Sequence, residues 1–68
     1  MNITLSRING ETVAVIPVTT DKHGYLYASH PTFQFEVDCA LYGFQEGQVS
    51  SDTIDDDDGT PYAKWFIS

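Results

Sequence analysis

Hydrophobic and polar positions alternate most regularly along residues 32–42. Every second position in this stretch is apolar: Phe33, Phe35, Val37, Cys39 and Leu41. The positions between them are polar or acidic, apart from the small apolar Ala40: Thr32, Gln34, Glu36, Asp38 and Tyr42. Because successive side chains of a strand point to opposite faces, a period of two predicts a strand with one apolar and one acidic face. We interpret this stretch as the central strand of a sheet.

The same stretch also fits a helix. Its apolar residues recur at helical spacing, namely at Phe33, Val37, Ala40, Leu41 and Phe44. Thr32 is a suitable N-cap for such a helix. The helix would leave Phe35 and Cys39 outside its apolar stripe, and the residue types are mostly strand formers. A strand is therefore the preferred interpretation, and an α+β fold with a helix at about residues 32–45 is the alternative.

Residues 2–8 and 11–19 are predicted to form a hairpin around Asn9 and Gly10. An Asn-Gly pair between two strand-like runs is a strong hairpin signal, because a type I′ turn needs positive φ at both central residues. A two-residue turn places Ile8 opposite Glu11. One face of the hairpin is then apolar and should meet the central strand: Ile3, Leu5, Ala14, Ile16 and Val18. The other face is mixed: Thr4, Ser6, Ile8, Val13 and Val15.

The remaining segments are short and mostly strand-like. Pro17 cannot donate to a ladder, so its strand is near its end or at a sheet edge. The other predicted segments are a loop at 20–24, an aromatic strand at 25–29, a turn at 43–47, a weak edge strand at 48–54, an acidic loop at 55–60 and a terminal strand at 62–67.

The terminal strand alternates Ala63, Trp65 and Ile67 with Tyr62, Lys64 and Phe66, and must be docked because it is so apolar. The sequence predicts a mainly β fold, a small antiparallel sheet or partly open barrel of four to six strands.

Length and cysteine content limit how such a fold is stabilised. The 68 residues form a single domain over residues 1–68 with a small core. Cys39 is the only cysteine, so no disulfide forms within one chain, and it packs as a small hydrophobe. Residues 1–10 show no signal-peptide pattern, and no apolar run approaches the ~18 residues of a membrane helix. We therefore expect a cytoplasmic protein, in the host cell's cytoplasm if it is phage-encoded.

The net charge of −7 lies entirely in the second half of the chain. Residues 1–34 contain two acidic and two basic residues, whereas residues 35–68 contain eight acidic residues and one lysine. Such polarity governs partners and solubility rather than fold. Nucleic acid and anionic membranes would be repelled, and a basic partner or a cation would be attracted.

No catalytic, metal or cofactor pattern is complete. If Gly59 is placed at the sixth position of a calcium-loop pattern, Ile54 falls at the first position and Trp65 at the twelfth, where oxygen ligands are needed. His23 and His30 lack the further close ligands of a zinc site. No nucleophile with a base, phosphate loop or dinucleotide fingerprint can be assembled. The sequence predicts no enzyme, metal site or cofactor.

The pattern favours an interaction protein that imitates nucleic acid. On a strand, Glu36 and Asp38 would lie about 7 Å apart, close to the phosphate spacing of DNA. The predicted partner-binding residues are Glu36, Asp38, Asp52, Asp55, Asp56, Asp57, Asp58, Tyr42 and Tyr62, with Tyr25 and Tyr27 as further aromatic anchors. In general character, though through no motif, the chain resembles small inhibitors encoded by phages and mobile elements, including anti-CRISPR-like anti-defence proteins. That resemblance implies a basic host nuclease, polymerase or defence complex as partner, with no direct contact to nucleic acid or membrane.

Two alternatives remain open. In the first, the protein is a homo-oligomeric structural or accessory subunit, with a seam at Ile8, Val13 and Val15, because apolar patches beside edge strands favour pairing. In the second, an oligomer encloses a small molecule without catalysis. Raised salt should weaken an acid-on-base complex sharply and an apolar seam hardly at all.

Overall fold

The computed structural model describes residues 1–42, 44 and 50–68. The elements in chain order are β1 (Asn2–Arg7), β2 (Thr12–Pro17), β3 (Thr19–Thr20), β4 (Leu26–Tyr27), α1 (Gln34–Leu41), β5 (Ser50–Asp55) and β6 (Pro61–Ile67). An antiparallel sheet has the strand order β2-β1-β6-β5, and β3 pairs with β4 separately. The predicted mainly β fold is confirmed as a four-stranded sheet with one short helix. No helix within the described ranges is long and apolar enough to cross a membrane.

The strand predicted for residues 32–42 is wrong, because Gln34–Leu41 is a helix, as in the α+β alternative. Val37 and Ala40 are fully buried, whereas Phe35 is 62% exposed. Residues two positions apart on a helix are separated by about 200° around its axis, so the side chains that a strand would place on one apolar face lie on both sides of α1. The helical stripe is selected because it covers the apolar face of the sheet.

A histidine rather than Thr32 prepares the start of the helix. The N-cap is Phe33, and it makes no side-chain cap bond. Instead, the backbone N–H groups of Thr32 and Phe33 both donate to Nδ1 of His30, at 3.1 Å each. The backbone N–H of His30 donates to Oε1 of Gln34 at 3.0 Å. These bonds occupy two N–H groups at the helix start, which would otherwise lack partners, so the predicted role of Thr32 is wrong.

The core lies between α1 and one face of the sheet. Ile3 and Leu5 pair with Ile16 and Ala14 in the predicted register, and Ile3 also pairs with Ile67. Ile3, Leu5 and Ile67 are at most 1% exposed. The predicted apolar face is confirmed, although it meets a helix and not a strand. The predicted docking of the terminal strand is also confirmed, since β6 lies inside the sheet between β1 and β5.

The edges of the sheet also follow the sequence prediction. β2 and β5 are the outer strands, and β2 ends at Pro17. The weak edge strand predicted at 48–54 appears as Ser50–Asp55; residues 48 and 49 lie outside the described residues, as does most of the turn predicted at 43–47.

The N-terminal hairpin has a three-residue turn rather than the predicted two-residue type I′ turn. The Arg7 N–H donates to the Glu11 carbonyl at 2.7 Å, and the Gly10 N–H donates to the Arg7 carbonyl at 2.9 Å. Gly10 has a φ of 96°, and among the described residues only glycines have positive φ. Arg7 therefore faces Glu11, and Ile8 lies in the turn. Gly10 supplies the one left-handed residue that this turn requires.

A β-bulge in β2 changes the face of one predicted surface residue. Leu5 pairs with Ala14, but Ser6 pairs with Thr12, so Val13 is the extra residue. A bulge rotates the side chain of its extra residue, and Val13 is partly buried against the core. Its predicted position on the mixed outer face is wrong.

Candidate functional site

Both hairpin turns of the main sheet lie at the same end of the molecule. Arg7, at the end of β1, pairs with Ala63 near the start of β6, so the turns at 8–10 and 56–59 are neighbours. The first turn of α1 reaches this end as well, because the Tyr62 hydroxyl donates to Oε1 of Glu36 at 3.2 Å. We call this region, formed by residues 8–10 and 56–59 with Glu36 and Tyr62, the hairpin end.

The acidic loop is a tightly hydrogen-bonded turn in which Asp56 is structural. The Gly59 N–H donates to the Asp56 carbonyl at 3.0 Å, and the Asp56 N–H donates to the Thr60 carbonyl at 3.0 Å. Oδ1 of Asp56 also accepts the N–H groups of Asp58 and Thr60, at 2.9 and 3.0 Å. This carboxylate therefore mimics a backbone turn, which leaves Asp57 and Asp58 as exposed charges at the tip.

The same turn occurs at residues 21–25, which shows that its geometry does not depend on the acidic run. The Gly24 N–H donates to the Asp21 carbonyl at 3.1 Å. Oδ1 of Asp21 accepts the N–H groups of His23 and Tyr25, at 2.8 and 3.0 Å. Both turns have an aspartate at the first position and a glycine at the fourth, and the hydrogen bonds they share involve none of the other acids' side chains.

A second bulge, in β6, turns Tyr62 towards the helix. Ile54 pairs with Ala63, and Asp55 pairs with Pro61, which leaves Tyr62 as the extra residue. The predicted alternation therefore holds for Lys64 and Phe66, but it is wrong at Tyr62, whose hydroxyl reaches Glu36. A long-range hydrogen bond, 26 residues apart in sequence, thus joins β6 to α1.

The surroundings of this contact favour the neutral forms of the Tyr62 phenol and the Cys39 thiol. Burial, the charge of Glu36 and the hydrogen bond to Glu36 raise the pKa of Tyr62 to about 12, with smaller contributions from Cys39 and Asp56. Burial, followed by the charges of Glu36 and Asp38, raises the pKa of the Cys39 thiol. A neutral thiol is a poor nucleophile, so Cys39 is not activated for covalent chemistry.

A pocket of ≈ 80 Å³ opens beside the Tyr62–Glu36 contact. Its lining combines apolar and polar residues: Leu5, Val13, Phe33 and Ala63, with Ser6, Arg7, Glu36 and Tyr62. Nε of Arg7 lies 3.4 Å from Oε2 of Glu11, so that cation has a carboxylate partner. Sites for whole small molecules usually enclose about 300–1,000 Å³, so this pocket fits a single side chain better than a substrate.

The predicted phosphate-like track of Glu36 and Asp38 is wrong. The two residues point to different sides of α1, since Glu36 contacts Tyr62 whereas Oδ1 of Asp38 accepts a hydrogen bond from Nε2 of Gln34 at 2.8 Å. Asp52 is exposed on the edge strand β5, where its carboxylate accepts the Thr53 N–H at 2.8 Å. The acids at the hairpin end come instead from Glu36 and the 55–58 run.

The predicted aromatic anchors are dispersed. Tyr42 is 92% exposed at the end of α1, and Tyr25 and Tyr27 are exposed around β4. Only Tyr62 lies at the hairpin end. Residues that dominate binding at one site cluster together. A binding site at the hairpin end would therefore include Tyr62 but not Tyr25, Tyr27 or Tyr42.

The predicted oligomer seam is also divided. Val15 is 59% exposed on the sheet face opposite the helix, Ile8 is exposed in the turn, and Val13 packs towards the core. Of the three predicted seam residues, only Val15 is exposed on the edge strand β2.

Within residues 1–42, 44 and 50–68, no group of three or more histidine, cysteine or acidic side chains is arranged to hold a metal ion. The sequence does not reveal the pocket, because regular alternation places Val13 on the mixed face of the hairpin and Tyr62 on the strand face of Lys64 and Phe66, whereas the bulges turn both into the pocket. One sequence signal for the pocket is the helical alternative, whose apolar stripe includes Phe33, a residue that lines the pocket.

Comparison with known proteins yields no family model, curated protein or solved structure that matches the chain. Its function is therefore inferred from the geometry and charge of its own residues.

Proposed function

We propose that the protein is a small non-catalytic interaction protein whose hairpin end docks on a basic surface of another protein. The observation that carries this proposal is the acidic turn: Asp57 and Asp58 are exposed at the tip of a turn that Asp56 and Gly59 hold in one conformation. Charges held in place lose little conformational freedom when they bind, which favours affinity.

The charge balance around this tip supports a basic partner. Residues 35–68 carry eight acidic residues and one lysine. As far as the described residues extend, the ion pair present is Arg7–Glu11, and no lysine or arginine there neutralises the 55–58 run. A field of this sign accelerates encounter with a basic surface and repels nucleic acid.

The partner class that fits is a nucleic-acid-binding protein, whose basic surface normally receives phosphates. The proposal includes an inhibitor of the phage or mobile-element type, with a host nuclease, polymerase or defence complex as the target. The hairpin tip, rather than the Glu36 and Asp38 pair, would then occupy the phosphate positions. Asp57 and Asp58 are exposed at this tip, where a basic surface can reach both carboxylates.

The test is a paired-variant capture experiment. The double variant Asp57→Asn/Asp58→Asn removes two charges at the tip and leaves the hydrogen bonds of Asp56 in place. The control Asn2→Lys/Ser68→Lys makes the same change in net charge at the opposite end of the sheet, where Asn2 and Ser68 are exposed and joined by backbone hydrogen bonds. Wild type and the two variants are each immobilised and exposed to nuclease-treated bacterial lysate, and bound protein is eluted with salt.

The proposal predicts a captured protein that double-stranded DNA displaces, that leaves at moderate salt, and that the tip variant loses while the control retains it. If both variants lose the captured protein equally, net charge alone explains binding, and a docking site at the hairpin end is contradicted. Failure of DNA to compete would contradict the inhibitor form of the proposal.

A second candidate function is a homo-oligomeric accessory subunit, which one observation favours. The outer edge of β2 has no pairing strand among the described residues, and Thr12–Pro17 contains no charged residue. The other outer strand, β5, carries Asp52 and Asp55, which discourage pairing at that edge. Sedimentation of wild type and Val15→Lys tests this candidate: a dimer that the lysine dissociates and that salt leaves intact would support it. A small-molecule sponge remains a prediction without a supporting observation.

A further inference from the structure

We propose that the pocket at the hairpin end is an anchor site for one arginine side chain of the basic partner. This inference rests on the proposed function and specifies the chemistry by which the partner is held. The acidic tip would attract the partner, and the pocket would receive a single side chain from it.

Two bulges build the pocket. The bulge in β2 turns Val13 towards the core, and the bulge in β6 turns Tyr62 towards Glu36. The bulged strands lie on either side of β1, and both side chains line the same pocket. Bulges commonly re-aim side chains at binding sites. Two of them that converge on one pocket supply an argument independent of the acidic run.

The walls of the pocket suit the stem of a long basic side chain. Leu5, Val13, Phe33 and Ala63 form an apolar lining around ≈ 80 Å³. Arginine buries its methylene groups on apolar surface and keeps its charged head at the rim. The aromatic ring of Phe33 favours arginine over lysine, because a guanidinium stacks on aromatic faces.

The mouth of the pocket supplies acceptors for the guanidinium. Glu36 is half-buried, and Oε1 accepts the Tyr62 hydroxyl at 3.2 Å. A carboxylate has about four lone-pair sites, so Glu36 retains acceptor capacity. Asp56 lies close enough to Tyr62 to raise its pKa and adds negative charge. Arg7 is the opposing cation at this rim, and Glu11 offsets it at 3.4 Å.

The experiment uses two peptides that differ only in charge. Ac-Gly-Ser-Arg-Ser-Gly-amide is titrated into the isotopically labelled full chain, and the matching peptide carries citrulline, a neutral isostere of arginine. Nuclear magnetic resonance follows side-chain signals of Val13, Phe33 and Tyr62 for the pocket, and amide signals of Asp57 and Asp58 for the tip. The variants are Glu36→Gln, which still accepts the tyrosine hydroxyl, Ala63→Leu, which fills the pocket, and Asp57→Asn/Asp58→Asn.

The arginine peptide should shift the pocket signals, and the citrulline peptide should not. Glu36→Gln should weaken binding by about 10-fold or more, since a hydrogen bond to a charged group is lost. Asp57→Asn/Asp58→Asn should weaken it by only roughly two- to fivefold, through exposed charges. Ala63→Leu should abolish the pocket shifts, and if that variant fails to fold, Glu36→Gln decides the result.

Three outcomes would overturn the anchor site. Shifts confined to the tip amides would show that arginine binds only the exposed acids and would leave the proposed function standing. Equal shifts with citrulline would remove the role of charge. No pocket shift at millimolar peptide would also reject the anchor, whereas the paired-variant capture experiment judges the proposed function separately.

Discussion

At the scale of single residues, the contact between Tyr62 and Glu36 shows how position in a bulge decides what a side chain does. Regular alternation would place Tyr62 on the open face of the sheet, beside Lys64 and Phe66. The bulge turns it instead to the helix face, where its hydroxyl donates to Glu36. A phenol that donates to a carboxylate is favoured in its neutral form, because ionisation would set two negative charges together.

Because of this contact, we expect Tyr62 to ionise at a higher pH than an ordinary tyrosine. Burial and Glu36 raise the pKa of Tyr62 from 10 to about 12. A raised folded-state pKa means that the neutral phenol stabilises the fold fully below about pH 10, and that this contribution is lost as the pH rises through about 12. Ultraviolet absorbance against pH should show this late step, and Tyr62→Phe should abolish it.

Glu36→Gln should lower the pKa of Tyr62 only in part, because burial is the largest cause and remains. A late step that persists in Tyr62→Phe would assign it to another tyrosine and disprove the contact.

At the scale of elements, residues 34–41 form a helix because a helix covers the apolar face of the sheet. Ile3, Leu5, Ile16 and Ile67 form a buried apolar face on the sheet, which needs an apolar stripe opposite. A helix supplies that stripe at Val37 and Ala40. Its start is supported by His30, whose ring also lies 5.1 Å from that of Phe33.

A pair of truncations distinguishes the helix from the strand that local alternation suggests. Val37→Ala should lower the free energy of unfolding by about 2 kcal/mol, since it removes buried methyl groups and leaves a cavity. Phe35→Ala should change it by less than about 0.5 kcal/mol, because Phe35 is 62% exposed. Chemical denaturation measures both. On a strand the two side chains would share one buried face, so similar large losses would contradict the helix.

At the scale of the whole molecule, the uneven charge distribution is the dominant property. Among the described residues, the acids of the second half are carried by α1, β5 and the 56–59 turn, whereas the acidic and basic residues of residues 1–34 balance. The folded state concentrates charge that the unfolded chain spreads out. Self-repulsion of this kind opposes the compact state.

Salt should therefore stabilise the fold. We expect the thermal unfolding midpoint to rise as sodium chloride increases from about 10 mM to about 150 mM, over which the Debye length falls from about 30 Å to about 8 Å. Calorimetry measures the rise. Asp57→Asn/Asp58→Asn should show a smaller salt response than wild type, because it carries less repulsion. A midpoint that falls with salt would mean that favourable ion pairs, rather than repulsion, dominate.

Several parts of this fold are legible in the sequence because they depend on neighbours along the chain. The alternation in β1 and β2 predicts the pairing of Ile3 with Ile16, and Gly10 marks a turn. The pattern Asp-x-x-Gly at Asp21 and Asp56 specifies a turn by local hydrogen bonds alone. Charge partition is likewise a property of the sequence, since it needs only the order of residues.

The sequence by itself determined the strands β1, β2, β5 and β6, the apolar face and the acidic second half; tertiary structure decided the helix, the bulges and the pocket. Residues 32–42 are too short and too apolar for periodicity to separate a strand from a helix, and packing against the sheet selects the helix. The bulges at Val13 and Tyr62 arise from the register between two strands, which neither strand encodes alone. The pocket depends on the helix and on both bulges, because its walls come from β1, β2, β6 and the start of α1. It therefore exists only once these elements have assembled.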